Sequence, residues 1–163
     1  MKNYFQGSVQ NPYHISIGAV VQNDKGEVCC HYFKTFSHPA MGTFDDFYLL
    51  MRETIEPNET IEGCLARGLR EEFGIQATLK SFMGPLVSRF LIPKTNVIME
   101  KTTLYFLCNL IDIDLAKRAS GDPESVSELR WMKPQDLIPK MKEQGQRSGR
   151  EDIDESKILE KLL

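Results

Sequence analysis

The residues best suited to chemistry are the carboxylates between positions 53 and 75. Apolar residues recur there every four positions, which predicts a helix over about 60–73 that ends at Gly74. Glu71 and Glu72 stand in its last turn, beside the negative end of the helix dipole, where carboxylates are mildly destabilising. We therefore expect a cation or a set of hydrogen-bond donors to compensate for them.

The need for a compensating partner is greater for Glu72 than for Glu71, because helical geometry places Glu72 beside the apolar positions rather than on the solvated face. A carboxylate at the edge of a core needs a cation or donors. Mg²⁺ meets that need, since it takes hard oxygen ligands and shares its site with substrate phosphates. Arg67 can also pair with Glu71, four residues later, or with Glu59, just before the helix. An Arg67–Glu71 pair alone would be an ordinary surface ion pair worth about 0.3–0.5 kcal/mol.

The spacing of these residues resembles the Nudix box, a motif written G-x5-E-x7-R-E-U-x-E-E-x-G-U, in which U is an aliphatic residue. Seven of its nine defined positions are matched, by Glu59, Arg67, Leu69, Glu71, Glu72, Gly74 and Ile75. A later segment, residues 128–137, is similar to the strand-to-helix segment found late in many members of the family. By this resemblance the chain is identified as a member of the Nudix hydrolase family (MutT-like), with a degenerate box.

Two defined positions depart from the motif. Gly68 stands where the family has a glutamate, and Glu53 stands where the box opens with a glycine. Positions 68, 71 and 72 share one face of an α-helix, so the family's three glutamates converge on metal and water. A glycine at position 68 is compatible with a packing requirement, with a bulky ligand or with lost activity. Glu53 brings a carboxylate to the same region, and we hypothesise that it replaces the missing one.

The resemblance implies a metal-dependent hydrolase that cleaves a diphosphate linkage in a nucleoside diphosphate derivative. Glu71 and Glu72 would be catalytic residues that hold Mg²⁺ or Mn²⁺. Glu53 would be a further catalytic residue. Glu59 and Arg67 would form a structural pair that fixes the loop to the helix. The general base is unassigned, because glycine occupies its most frequent position in the family.

Other acids and another function are also compatible with the sequence. Family members frequently recruit an acidic residue from a late loop, and Glu124 or Glu128 would supply that metal ligand here, with Glu100 as a second choice. The alternative function is a catalytically impaired Nudix-fold module that binds a nucleotide or regulates a partner. The two departures from the motif favour it, whereas the retained glutamate pair argues against complete loss of the metal.

The rest of the chain predicts the elements that position these residues. Alternating apolar residues at 15–21, a turn at 23–26 and a second apolar run at 28–33 predict a β-hairpin. Further strands are expected around 44–51, 82–91, 102–110 and 128–133, helices around 134–142 and 153–163, and loops at Pro39 and Asp122. Strands around one central helix predict an α/β fold. The family resemblance implies an α/β/α sandwich with a mixed sheet.

Composition narrows the classes of function. The chain has 163 residues, 41% of them apolar, which suits one packed domain. Its formal net charge of -3 suits a small phosphorylated substrate rather than a long nucleic acid. We expect no membrane span or signal peptide. The four cysteines lack C-x-x-C spacing, so we expect buried, reduced thiols and a cytoplasmic protein. Residues 1–8 resemble the remnant of a cloning tag, which leaves 9–163 as a single domain of open oligomeric state.

Overall fold

The computed structural model describes residues 1–38, 41–121 and 123–163, so Pro39 and Asp122, which we assigned to loops, lie outside the described residues. The strands are β1 (Tyr13–Gln22), β2 (Val28–His38), β3 (Gly42–Leu49), β4 (Met51–Thr54), β5 (Ile75–Ile92), β6 (Val97–Ile113) and β7 (Glu128–Met132). The α-helices are α1 (Ile61–Gly68), α2 (Pro134–Ser148) and α3 (Ser156–Leu159). Short 3-10 turns lie at Leu115–Lys117, Pro123–Val126, Glu151–Ile153 and Glu160–Leu162.

These strands form one mixed sheet in the order β3-β2-β1-β6-β5, with β4 paired to β1 and β7 paired to β2. β1 and β6 are parallel, and the other pairs are antiparallel. Because side chains alternate between the two faces of a strand, β1 contributes to two cores. Ile17 and Ala19 pack with α1 on one face, and Val20 packs with α2 and α3 on the other. The architecture is the α/β/α sandwich that the resemblance implied.

The predicted hairpin of β1 and β2 is present only at its turn end. The turn between them is present, since the Gly26 amide donates to the Asn23 carbonyl and the Asn23 side chain accepts from the Glu27 amide. Pairing of the two strands is limited to Gln22 with Val28. β4 pairs with β1 instead, and β7 pairs with β2. Alternation of apolar residues identified both strands and the turn between them, whereas the partners along most of their length are decided by long-range packing.

β5 and β6 form one long antiparallel hairpin that extends beyond the strands predicted at 82–91 and 102–110. Its register shifts at three places in the part that follows α1. Such irregularities increase the local twist and let a long hairpin bend around the core.

The helix that bears the glutamates begins and ends as predicted, but its last turn differs. Thr60 caps the first turn by accepting a hydrogen bond from the Gly63 amide at 3.0 Å, and Gly74 ends the segment with φ of 65°. Leu69–Phe73 form a π-helical turn rather than a continuation of the α-helix. A π turn is wider than an α turn, so the two glutamates within it do not keep their α-helical offset from Gly68.

The C-terminal region is more broken than predicted. α2 continues to Ser148 instead of ending near 142, and the helix expected over 153–163 is reduced to α3 between two 3-10 turns. The interruption has a physical reason, because the buried Glu155 carboxylate accepts hydrogen bonds from the Leu50 amide and the Tyr105 hydroxyl. The chain must bend to bring this carboxylate into the core.

The N-terminal segment lies against the domain. The Asn3 side chain donates to the Ile55 carbonyl at 2.8 Å, and the Ile15 amide donates to the Phe5 carbonyl at 2.9 Å. Residues 1–8 therefore pack against the start of β1 and the segment that follows β4.

All four cysteines are free and buried, as predicted. Burial raises the pKa of Cys30 and of Cys64 to about 12, so these thiols are unreactive near neutral pH. No helix among the described residues is long and apolar enough to cross a membrane.

Candidate functional site

Arg67 is at the centre of the polar contacts on α1. Its Nε and Nη2 atoms each lie 2.9 Å from a carboxylate oxygen of Glu59, so this ion pair is bidentate. Nη2 also donates to the Thr54 carbonyl at 2.9 Å. The hydrogen bond from Arg67 lowers the pKa of Glu59 to about 2. These contacts join the loop before α1 to the helix and to the end of β4.

Two further carboxylates approach the same guanidinium. Nη1 of Arg67 lies 3.1 Å from Glu53 and 3.8 Å from Glu71. The other oxygen of Glu53 accepts from the Thr54 amide at 2.8 Å. The side chains of Glu53 and Glu71 are 21% and 34% exposed, so both are accessible to a ligand. The structure thus brings three of the predicted site glutamates together around one cation.

Gly68 is in close contact with β4. A Cβ atom at this position would lie 2.8 Å from Sδ of Met51 and 2.9 Å from Cβ of Glu53, closer than packed carbon atoms approach. The missing side chain at Gly68 is therefore what admits Glu53 beside the helix. Of the three explanations for this glycine, the contact favours a packing requirement.

Glu72 makes a separate set of contacts in the interior. It is only 4% exposed, and its carboxylate lies 2.8 Å from Nε2 of His31 on β2. Nδ1 of His31 lies 2.7 Å from the Ser127 hydroxyl, and the imidazole packs edge-on against Phe73 at 4.6 Å. His31 is thus a partner of the kind that a buried carboxylate requires.

Arg118 connects this interior network to the loop that follows β6. Its guanidinium donates to the backbone carbonyls of Glu72 at 2.7 Å, Glu124 at 2.9 Å and Ser127 at 2.9 Å. It also donates to the Ser127 hydroxyl at 3.0 Å. The π-helical turn and the loop around Glu124 are therefore held to one another through a single side chain.

Comparison with known proteins decides the family, because the NUDIX domain profile matches residues 12–152. The chain belongs to the Nudix hydrolase family. A relative is the nucleoside triphosphatase NudI of Escherichia coli O1:K1, 29% identical over 119 residues that cover 73% of this chain and 81% of that protein. A NUDIX hydrolase from Nitrosomonas europaea aligns over 77% of this chain and 76% of its own, with 12% identity and a TM-score of 0.56. The MutT protein from Methanosarcina mazei Go1 aligns over 81% and 85%, with 20% identity and a TM-score of 0.51. Both structures share the fold of this domain.

The remaining predicted acids of this Nudix domain have different surroundings. Glu128 is exposed and lies 2.9 Å from Arg130, and Glu100 lies 2.7 Å from Arg89, so both belong to surface ion pairs. Glu124 lies in a 3-10 turn whose backbone is held by Arg118. Of the two loop acids, Glu124 is therefore the one tied to the helix that bears the motif.

The carboxylates of this Nudix domain suit Mg²⁺ that is bound together with a phosphorylated substrate. In the described parts of the chain, no three His, Cys, Asp or Glu side chains are grouped so that they could hold a metal by themselves. Mg²⁺ needs less, since it is usually held by one or two carboxylates, waters and substrate phosphates. Glu53 and Glu71, both facing Nη1 of Arg67, supply that number of hard oxygen ligands. The residues present therefore fit the metal.

Sequence reasoning missed His31, Ser127 and Arg118, because none of them stands at a fixed spacing from the motif. His31 offered one usable signal, since it is a histidine inside an otherwise apolar and aromatic run at 28–33. A buried polar side chain needs a polar partner. A histidine at such a position is a candidate partner for the Glu72 carboxylate.

Proposed function

We propose that this Nudix domain hydrolyses a diphosphate linkage in a nucleoside diphosphate derivative, in a reaction that requires Mg²⁺ or Mn²⁺. The observation that carries the proposal is the contact between Glu53 and Gly68. The family glutamate is absent from position 68, but Cβ of Glu53 fills the space beside this glycine and its carboxylate lies 3.1 Å from Arg67. A strand residue would thus supply the carboxylate that the helix lacks.

Glu53 and Glu71 would hold the metal together with the substrate phosphates, and Glu72 and Glu124 are the further acids that we propose for the site. When bound, the metal would polarise the phosphoryl oxygens and lower the pKa of a bound water. Attack of water on phosphorus forms one phosphorus–oxygen bond and breaks the diphosphate bond, which releases two phosphorylated products. The partial exposure of Glu53 and Glu71 supports their access to substrate.

Two pairs of residues would position these carboxylates. The bidentate Glu59–Arg67 pair fixes the loop to α1 and places a cation between Glu53 and Glu71. His31 would hold the Glu72 carboxylate in one orientation, as outer hydrogen-bond partners commonly do for metal-binding carboxylates. Neither role requires the pair to touch the substrate.

The substrate class is supported by the relatives and by charge. NudI is a nucleoside triphosphatase, and a nucleoside triphosphate is a nucleoside diphosphate linked to one further phosphate. The net charge of -3 does not favour a long polyanion, whereas a divalent metal can neutralise a small one locally. The four buried free thiols support a cytoplasmic location, which we also propose.

The second candidate is a nucleotide-binding or regulatory module without hydrolysis. The observation that favours it is the burial of Glu72, whose carboxylate bonds to His31 and is 4% exposed. A carboxylate held in this way can serve the fold alone. The two candidates differ in turnover rather than in binding.

The test is phosphate or pyrophosphate release from a panel of nucleoside diphosphate derivatives and nucleoside triphosphates, with Mg²⁺ or Mn²⁺. Glu71→Gln and Glu72→Gln are compared with Glu62→Gln, an exposed glutamate of α1. We expect turnover by the wild type and the Glu62 variant, and a loss of about 100-fold in the other two. Nucleotide binding without turnover of any substrate would instead support the module.

A further inference from the structure

Three polar side chains lie side by side on the face of the sheet opposite α1. His14 on β1 is the register partner of Lys101 on β6, and Lys101 is the partner of Ser88 on β5. Tyr105, four residues after Lys101 and therefore on the same face, packs with α2 and α3. Side chains of directly paired residues such as Lys101 and Ser88 have Cβ atoms about 4.5–5.5 Å apart. Lys101 and Ser88 are therefore neighbours on this face of the sheet.

Lys101 lies among charged residues that are paired with one another. Arg52 and Arg150 are the other cations near it, and Asp152 and Glu155 are the carboxylates. Both carboxylates already have partners. Arg150 binds the two oxygens of Asp152 at 2.7 Å each, and Glu155 accepts from a backbone amide and a tyrosine hydroxyl. Within the described residues, the half-buried Lys101 ammonium forms no ion pair of its own.

Ser88, the register partner of Lys101, has an unused hydroxyl. The residue is 2% exposed, and its hydroxyl oxygen has no hydrogen-bond partner among the described residues. Buried polar atoms are nearly always hydrogen-bonded, because leaving one unpaired is costly. A groove of about 280 Å³ reaches this residue and is lined by Val87, Ser88, Arg89, Glu100 and Glu151.

The pKa values of Lys101 and His14 agree with a Lys101 ammonium that has no counter-ion. Burial, together with Arg52, lowers the pKa of Lys101 to about 7, and the attraction of Asp152 and Glu155 offsets only part of this effect. Burial, together with Lys101 and Arg52, lowers the pKa of His14 to about 4. A backbone amide donates to Nδ1 of His14 at 3.2 Å, which agrees with a neutral ring that adds no charge. An anion would stabilise the ammonium of Lys101.

We propose that Lys101 and Ser88 form a binding site for an oxyanion, the phosphate or carboxylate group of a small molecule. The ammonium would pair with the anion, and the Ser88 hydroxyl would donate to one of its oxygens. Each group thereby gains the partner that it lacks. The site contains none of the carboxylates around Arg67, so it depends neither on a metal nor on the proposed hydrolysis.

Sulfate is a suitable probe, because its charge does not change across the relevant pH range. We would titrate the full chain with sulfate by calorimetry in the presence of a chelator. The wild type should bind saturably near pH 6, Lys101→Met should bind about tenfold more weakly or worse, and Ser88→Ala about threefold more weakly. Lys80→Met, an exposed lysine of β5, is the matched control and should bind like the wild type. Acetate in a parallel titration distinguishes a carboxylate ligand from a phosphate-like one.

The pH dependence is a readout that a purely structural role of Lys101 would not change. Affinity for sulfate should fall from about pH 6 to about pH 9, because the ammonium loses its proton in this range. Lys101→Arg should retain its affinity at the higher pH. A pH effect that persisted in Lys101→Met would count against the proposal, because it would belong to the other charged groups around this position. These groups are His14, Arg52, Arg89, Glu100, Arg150, Glu151, Asp152 and Glu155.

Two outcomes would overturn the proposal. One is the absence of saturable sulfate binding by the wild type, and the other is binding that survives unchanged in Lys101→Met. Misfolding is separately controlled, because Ser88→Ala removes an unpaired buried hydroxyl and should leave the ligand-free protein at least as stable in a thermal melt. Weaker binding by this variant would then report on the site.

Discussion

Glu59 and Arg67 join the loop before α1 to the helix through a bidentate ion pair that is mostly shielded from solvent. The hydrogen bond from Arg67 lowers the pKa of Glu59 from about 4.5 to about 2. A carboxyl group whose pKa is lower in the folded state stabilises the fold above its unfolded pKa. It loses that stabilisation as the pH falls through its folded pKa.

Glu59→Gln should therefore lower the free energy of unfolding at pH 7 by about 1–2 kcal/mol. The difference from the wild type should shrink as the pH falls from about 5 to about 2, since the wild-type carboxylate is then protonated. Denaturant unfolding of the wild type and Glu59→Gln across this pH range measures the difference in unfolding free energy, with Glu62→Gln as the exposed control. A difference that stayed constant down to pH 2 would show that Glu59 acts through packing rather than charge.

α1 packs against β4 where Gly68 faces Glu53. Gly68→Glu alone would overlap with Glu53 and Met51, and we expect a loss of about 1–3 kcal/mol in the free energy of unfolding. Combined with Glu53→Gly, which removes the overlapping Cβ atom and returns the carboxylate to the helix, much of that loss should be recovered. A double-mutant cycle on unfolding free energies tests the coupling. Additive effects would show that the two positions are independent.

The elements that follow local rules were predictable from the sequence. Thr60 and Gly74 marked the two ends of the helical segment, because helix caps depend on backbone groups a few residues away. The π-helical turn at Leu69–Phe73 was not predicted, since no local rule that we applied distinguishes it from an α-helical turn. The pairing of β1 with β4 and β6 was missed for a different reason, because the strands that compete for an edge are far apart in the chain.

In the candidate site, too, features that depend on neighbouring residues were predictable, whereas contacts between distant residues were not. Burial of Glu72 beside the core followed from helical periodicity, as did its need for a polar partner. The partner itself, His31, is separated from Glu72 by 41 positions and lies on another element. Glu59 and Arg67 were found together because the family motif records their spacing, whereas no motif records the spacing of His31.

The C-terminal segment is joined to the rest of the domain through the side chain of Glu155. Glu155 is fully buried, accepts hydrogen bonds from the Leu50 amide and the Tyr105 hydroxyl, and lies 3.8 Å from Arg52. Burial raises the pKa of Glu155 despite the attraction of Arg52. The strands and the last helices are thus held together by a polar contact inside an apolar core.

Tyr105→Phe should lower the free energy of unfolding by about 1–3 kcal/mol, because it leaves a buried acceptor of Glu155 without its donor. The measurement is thermal or denaturant unfolding, with Tyr13→Phe as the control at an exposed tyrosine. In Tyr105→Phe combined with Glu155→Gln, the loss should be smaller than the sum of the two single losses. Equal stability of Tyr105→Phe and the wild type would contradict this account of how the C-terminal segment is anchored.

We propose that Glu53 supplies the carboxylate that is missing at Gly68. The most direct measurement is kcat for metal-dependent hydrolysis by Glu53→Gln, with the best substrate of the panel and with Glu62→Gln beside it. We predict a kcat about 100-fold lower for Glu53→Gln, with a melting temperature close to that of the wild type and normal activity of the control. An unchanged kcat in Glu53→Gln would show that Glu53 does not replace the missing glutamate.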